Sequence, residues 1–153
     1  MIIRSGSDAE TREIGFKMGK KLAKNFSKQG EIAILCLYGE LGAGKTTFIR
    51  GLAGGLGITS RITSPTFTYQ RVHGGRPKLY HFDCYRLSGP DELLLHDLHE
   101  AISNCDGVIA IEWSEKIKRH LPEKHTDIYF EYVDENVRKI MINPAKREQL
   151  TYD

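Results

Sequence analysis

The chain has 153 residues, 40% of them hydrophobic and 27% charged, with a formal net charge of +2. That length suits one domain whose core needs no disulfide staples, and the near-neutral balance sets no global demand for nucleic acid or an anionic membrane. No apolar run approaches the roughly 20 residues of a membrane span, and Met1-Ile2-Ile3-Arg4-Ser5-Gly6 lacks the longer apolar stretch of a secretory signal.

Taken in chain order, Ser7-Asp8-Ala9-Glu10 has the form of a capping box, in which a Ser and a Glu three residues later satisfy each other's orphan amides. Ile14, Met18, Leu22 and Phe26 then recur every four residues, which predicts an amphipathic helix over residues 8–28. Lys17, Lys21, Lys24 and Lys28 fall on a neighbouring face and read as solvated, with a docking surface for RNA or a protein partner as the alternative. Ile32 to Tyr38 is a short apolar run of the kind found in parallel strands buried on both faces. After a loop at 39–44, Lys45 to Leu56 reads as a helix that Gly57 is placed to end. Thr66–Val72 and Lys78–Phe82, separated by Gly74-Gly75, predict a hairpin. Ser88-Gly89-Pro90-Asp91-Glu92 opens a helix carrying Leu93, Leu94, Leu95, Leu98 and Ile102. Val108 to Ile111 is another buried strand. Asp127–Val133 and Val137–Ile142 close the chain as a second hairpin, and residues 144–153 read as a polar tail. Strands alternating with helices predict an α/β fold with crossover connections. The hairpins add antiparallel pairs, so the expected fold class is a P-loop NTPase-like three-layer α/β domain with a mixed, mainly parallel sheet.

Cys36, Cys84 and Cys105 are odd in number and widely spaced, which fits neither a disulfide framework nor a CxxC zinc site. They read as small buried hydrophobes of a chain kept in a reducing cytoplasm.

Gly39-Glu40-Leu41-Gly42-Ala43-Gly44-Lys45-Thr46 satisfies G-x-x-x-x-G-K-S/T in full, between a buried strand and an amphipathic helix. Glycines let the backbone turn so that its amides point inward at phosphate oxygens. The helix offers its positive N-terminal end to the same anion. Lys45 is expected at the β- and γ-phosphates and the Thr46 hydroxyl at Mg²⁺. The expected nucleotide contacts are Gly39, Leu41, Gly42, Ala43, Gly44, Lys45, Thr46 and Thr47.

Such a loop also requires carboxylates near the metal. Asp83 follows Leu79-Tyr80-His81-Phe82, and Glu112 follows Val108-Ile109-Ala110-Ile111. Ligands of open α/β sheets gather at the carboxyl ends of strands, so either side chain is placed to hold Mg²⁺, directly or through water, or to orient an attacking water. Ser64-Pro65-Thr66 lies where P-loop proteins carry a γ-phosphate sensor, which makes Thr66 a further candidate contact; a plain turn is the alternative. Arg86 either neutralises phosphate or pairs with an acid, and Trp113 is either core or close to the site. Glu92, His96 and His99 share a helix face but lack a third histidine or an HExxH pattern, and read as packing and surface residues.

These segments together resemble the TsaE (YjeE) family, the small ATPase of bacterial threonylcarbamoyladenosine tRNA modification. The resemblance runs from the loop through Thr47-Phe48, Arg50-Gly51-Leu52 and Gly55-Leu56-Gly57-Ile58. It continues through Ser64-Pro65-Thr66-Phe67-Thr68, Tyr80-His81-Phe82-Asp83-Cys84-Tyr85-Arg86-Leu87 and Ile111-Glu112-Trp113, and covers about residues 8–142. It implies binding of ATP and Mg²⁺, slow hydrolysis by the chain alone, and work with partners named TsaD and TsaB on the adenosine next to the tRNA anticodon. It further implies Thr46 and Glu112 at the metal, Asp83 in the catalytic centre, and base and ribose contacts near Asp8–Thr11 and Val137-Arg138. Ser114, His96 and Cys84 depart from the family pattern without removing a phosphate or metal ligand. The competing readings are a small P-loop kinase, disfavoured by the lack of an Arg-rich lid, and an ATP-dependent scaffold that rarely hydrolyses.

Overall fold

The computed structural model describes residues 1–29, 32–65, 67–75, 77–88, 91–104 and 106–143. Thr66, Cys105, the Gly89-Pro90 pair and the tail at 144–153 therefore lie outside the described residues. The elements are β1 (Ile2–Ser5), α1 (Asp8–Gln29), β2 (Ala33–Tyr38), α2 (Lys45–Gly55), β3 (Gln70–His73), β4 (Lys78–Asp83), α3 (Glu92–Asn104), β5 (Gly107–Glu112), a 3-10 helix (Ser114–His120), β6 (Thr126–Tyr132) and β7 (Arg138–Asn143).

The strands form one sheet in the order β1-β7-β6-β2-β5-β4-β3. Its centre, β6-β2-β5-β4, is parallel, and β1, β7 and β3 join antiparallel at the two edges. This is the expected mixed α/β sheet. Alternation along the central strands divides the core in two. Leu35, Leu37, Leu79, Val108, Ala110 and Ile128 pack against α2, with Ile14 and Met18 of α1 beside them. Ile34, Cys36, Tyr80, Phe82, Ile109 and Ile111 pack against Leu94, Leu98 and Ala101 of α3 and Ile117 of the 3-10 helix. Three layers result, because strands buried on both faces need a helix on each.

Several expectations on elements need correction. The run predicted as a strand over Thr66–Val72 pairs only at Gln70–His73; Phe67 to Tyr69 form a turn, and the Tyr69 carbonyl accepts the Asp83 amide at 2.9 Å. β1 and the 3-10 helix have no counterpart in the sequence reading. β1 is too short for periodicity to detect and is held by pairing Ile3 with Ile140. The capping box is offset: Ser7 Oγ accepts the Glu10 amide at 3.1 Å, but the Glu10 carboxylate reaches the Gly6 amide rather than that of Ser7. On α3, Asp91 caps the Leu94 amide at 3.0 Å, while Leu93 is exposed.

The seam between α1 and α2 was not legible as such. A Cβ added to Gly15, Gly19, Gly51 or Gly55 would lie 2.2, 2.3, 1.9 or 2.1 Å from a carbonyl oxygen of the facing helix. Glycine is unfavourable in a helix interior by about 1 kcal/mol relative to Ala. Four of them facing one another are explained by this backbone-to-backbone approach, which fixes α1 directly on the helix that follows the phosphate loop.

Candidate functional site

The loop after β2 and the ends of β4 and β5 meet at one edge of the sheet. Pairing sets the level: Glu112 is the register partner of Leu37 on β2 and of Asp83 on β4. Both carboxylates therefore stand side by side at the strand ends and line a cleft of about 370 Å³ with Thr46 and Lys45.

Gly42 (φ 78°) and Gly44 (φ 104°) take left-handed backbone conformations that let the loop curl into α2. Ala43 is buried in the core and its amide bonds the Glu40 carbonyl at 3.0 Å, so the loop is anchored from below. From the side, Tyr132 of β6 donates its hydroxyl to the Gly42 carbonyl at 2.7 Å. Leu41 forms an exposed lip. Leu41, Gly42, Gly44, Lys45, Thr46 and Thr47 line the cleft, whereas Gly39 and Ala43 shape the loop without lining it.

Lys45 is only 4% exposed. Its ammonium donates to the carbonyls of Gly39 and Glu40 and lies 3.9 Å above the Trp113 ring. Burial lowers its pKa, opposed by the charges of Glu112, Glu115 and Asp83. Trp113 itself has φ 57° and ψ 44°, a left-handed conformation rare for an aromatic residue. That conformation turns the chain at the end of β5, where the ring meets Lys45 on one side and Tyr85 at 5.0 Å. Of the two sequence options, core or site, Trp113 meets both: it lines the cleft and packs against the core layer of α3.

Thr46 donates its hydroxyl to Glu112 Oε1 at 3.1 Å, and His81 Nε2 lies 2.6 Å from Glu112 Oε2. Asp83 has separate anchors: Ser64 donates to its Oδ2 at 2.5 Å and the Tyr85 amide to its Oδ1 at 2.9 Å. Glu112 and Asp83 are each 3% exposed. Sequence reasoning pointed to the Ser64-Pro65-Thr66 segment but chose Thr66, which lies outside the described residues; Ser64 is the side chain the structure brings to the cleft. His81 was missed, although a histidine inside an apolar strand two positions before Asp83 was a signal in the sequence.

Other candidates separate. Thr11 is buried behind the loop, its hydroxyl 2.7 Å from that of Ser5 and its methyl against Gly44. It supports the cradle from behind, and Asp8, not Thr11, lines the cleft. Val137 closes the β6–β7 turn through its carbonyl, while its neighbour Arg138 lines the cleft with its guanidinium 4.0 Å from the Tyr132 ring. Arg86 stacks on the exposed Phe67 ring at 4.8 Å. His96 and Glu100 are exposed on α3, 3.9 Å apart, in keeping with a surface role.

The family model described as "Threonylcarbamoyl adenosine biosynthesis protein TsaE" matches residues 6–140. The chain belongs to the TsaE family. Relatives of that name include one from Streptomyces coelicolor, 47% identical over 111 residues (70% of this chain, 72% of that one), and one from Nostoc sp., 39% identical over 138 residues (88% and 80%). The TsaE protein of Bacillus subtilis is 38% identical over 138 residues, covering 90% of this chain and 81% of its own length. Among solved structures, the crystal structure of Bacillus subtilis YdiB superposes with a TM-score of 0.74 at 30% identity, covering 99% of this chain and 89% of that one. The family's matched span thus includes both the loop and the two strand-end carboxylates. No helix among the described residues is long and apolar enough to cross a membrane.

Proposed function

We propose that the chain is a Mg²⁺-dependent ATPase of the cytoplasm that serves tRNA threonylcarbamoyladenosine biosynthesis together with TsaD and TsaB. The tRNA-modification role is supported by family membership. The observation that carries the enzymatic reading is the 3.1 Å hydrogen bond from Thr46 to Glu112, which ties the hydroxyl at the start of α2 to a carboxylate at the end of β5. Such a hydroxyl can give its hydrogen to the acid and keep a lone pair for a cation.

The donor set suits Mg²⁺. The side chains of Thr46, Glu112 and Asp83 offer only hard oxygen atoms, within a cleft also lined by Lys45 and the loop. Thr46 and Glu112 would hold the ion, with Asp83 beside them; the ion supplies neutralisation of charge on the transferred phosphoryl oxygens. Lys45 exchanges the carbonyls of Gly39 and Glu40 for phosphate oxygens. The left-handed glycines leave the loop backbone free to approach the anion. Asp83 and Glu112, both held by hydrogen bonds, present fixed acceptors to an attacking water.

Phosphate release is to be measured with and without TsaD and TsaB, together with modification of tRNA. Free phosphate whose release rises with the partners supports the proposal. Phosphate recovered on a small metabolite would establish a kinase, and modification without phosphate release would establish a scaffold.

A further inference from the structure

Glu112 is held at both oxygens, and one of its two anchors belongs to no P-loop element. His81 sits in the middle of β4, its register partners being Ala110 on β5 and Arg71 on β3. Leu79, His81 and Asp83 alternate onto the face covered by α2, as do Val108, Ala110 and Glu112 on β5. An imidazole with no exposure in that apolar layer is unfavourable unless a polar group answers it. The answering group is Glu112 Oε2 at 2.6 Å from Nε2. Nδ1 has no hydrogen-bond partner among the described residues. A hydrogen on Nδ1 would be a buried donor without an acceptor, so the hydrogen belongs on Nε2, donated to the carboxylate.

We propose that His81 is a positioning residue for hydrolysis: its Nε2–H fixes Oε2 of Glu112 so that Oε1 is presented to Thr46 and the cleft. A glutamate has three side-chain torsions and loses them only when both ends are held. Its backbone end is held by the β4–β5 and β2–β5 ladders, and the Thr46 hydroxyl alone leaves the carboxylate free to swing about that bond. The second contact, from below, removes this freedom before any ligand arrives. A site whose acceptors are already oriented spends no reorganisation when charge develops. Asp83 achieves the same end by other means, through Ser64 and the Tyr85 amide. The two carboxylates are therefore oriented independently.

This inference rests on the reading of Glu112 as the metal- and water-organising acid. Its test uses the full chain with TsaD and TsaB and three variants. Gln places its amide nitrogen where Nε2 lies, Asn places it where Nδ1 lies, and Leu offers no donor. His81→Leu and His81→Asn are expected to lower kcat by roughly 10–100-fold, the usual effect of removing an outer partner of a metal site, with ATP affinity near wild type. His81→Gln is expected to recover most of the loss. In a Glu112→Ala background, His81→Leu should add nothing, a result that a merely structural role would not give. Should His81→Leu fail to fold, the contrast between Gln and Asn carries the test. Nitrogen NMR of the ligand-free chain should find a hydrogen on Nε2; an Nε2 without one overturns the inference. Wild-type kcat in His81→Asn beside a disabled Glu112→Ala overturns it while leaving the hydrolysis reading intact. Wild-type kcat in Glu112→Ala overturns both.

Discussion

The two walls of the cleft are built on different principles. The cradle at Gly39–Thr46 is made of contiguous residues, and its shape follows from local backbone chemistry: left-handed glycines, a helix start, and Ala43 set into the core. The opposite wall is assembled from a distance. Asp83 and Glu112 are 29 positions apart in the chain and become neighbours only because β4 and β5 pair in one register. A slip of one residue would turn one acid to the other face of the sheet. The cradle thus takes its shape from a segment that Tyr132 and Thr11 only brace, whereas the acidic wall exists through the fold alone. Binding and turnover should accordingly respond to different changes.

The largest effect is expected at the cradle. Lys45→Ala should weaken ATP binding by a hundredfold or more, on the order of 3 kcal/mol for a lost charge-assisted contact to phosphate. Calorimetry or a fluorescent nucleotide measures it, and unchanged affinity would remove the loop from the site. On the other wall, Glu112→Ala should cut partner-stimulated phosphate release by roughly 10²–10³-fold, the scale of losing one preorganised electrostatic group, while ATP affinity changes far less. Equal losses in both quantities would erase the division between the walls.

Ser64→Ala sharpens the comparison further. It removes only the hydroxyl held by Asp83, and a fall in kcat of about tenfold is expected, the equivalent of roughly 1–1.5 kcal/mol for one hydrogen bond. A change in affinity instead would place Ser64 with the cradle. The smallest effect concerns Cys84, which follows Asp83 directly. Burial pushes its thiol up to about 12, helped by the neighbouring charge of Asp83. The side chain is fully buried and its reactive thiolate is disfavoured at neutral pH. Peptide mapping after alkylation should find Cys84 unmodified in the folded chain and modified in denaturant. Labelling of Cys84 under native conditions, with ATP affinity retained, would show that the acidic wall opens while the cradle still binds.

The same contrast explains what the sequence made legible. The loop, its flanking strand and its helix were readable because the signals are local, and the strand-end acids stood out because a charge ends each apolar run. What surrounds those acids was not readable. Nothing in the spacing of His81, Ser64 or Tyr85 states which carboxylate each will hold, since that depends on strand order and register. The left-handed Trp113 and its contact with Lys45 depend on how the chain leaves β5. Short β1 escaped notice because its partner lies near the other end of the chain. Val137 and Arg138 show the limit of a hairpin read from alternation alone: adjacent residues, of which one closes a turn and the other reaches the cleft.

The four facing glycines have a mechanical meaning. With carbonyl oxygens close to where Cβ atoms would stand, the two helices have no side-chain cushion at these four positions. The backbones meet directly there, so a side chain at any of the four would force the helices apart. Helix α1 has 22 residues, a rod of about 33 Å, and it starts beside the cleft at Asp8. It is therefore a lever clamped to the helix that carries Lys45 and Thr46. A displacement of α1 beside these glycines bears directly on the backbone of the helix that begins with Lys45 and Thr46.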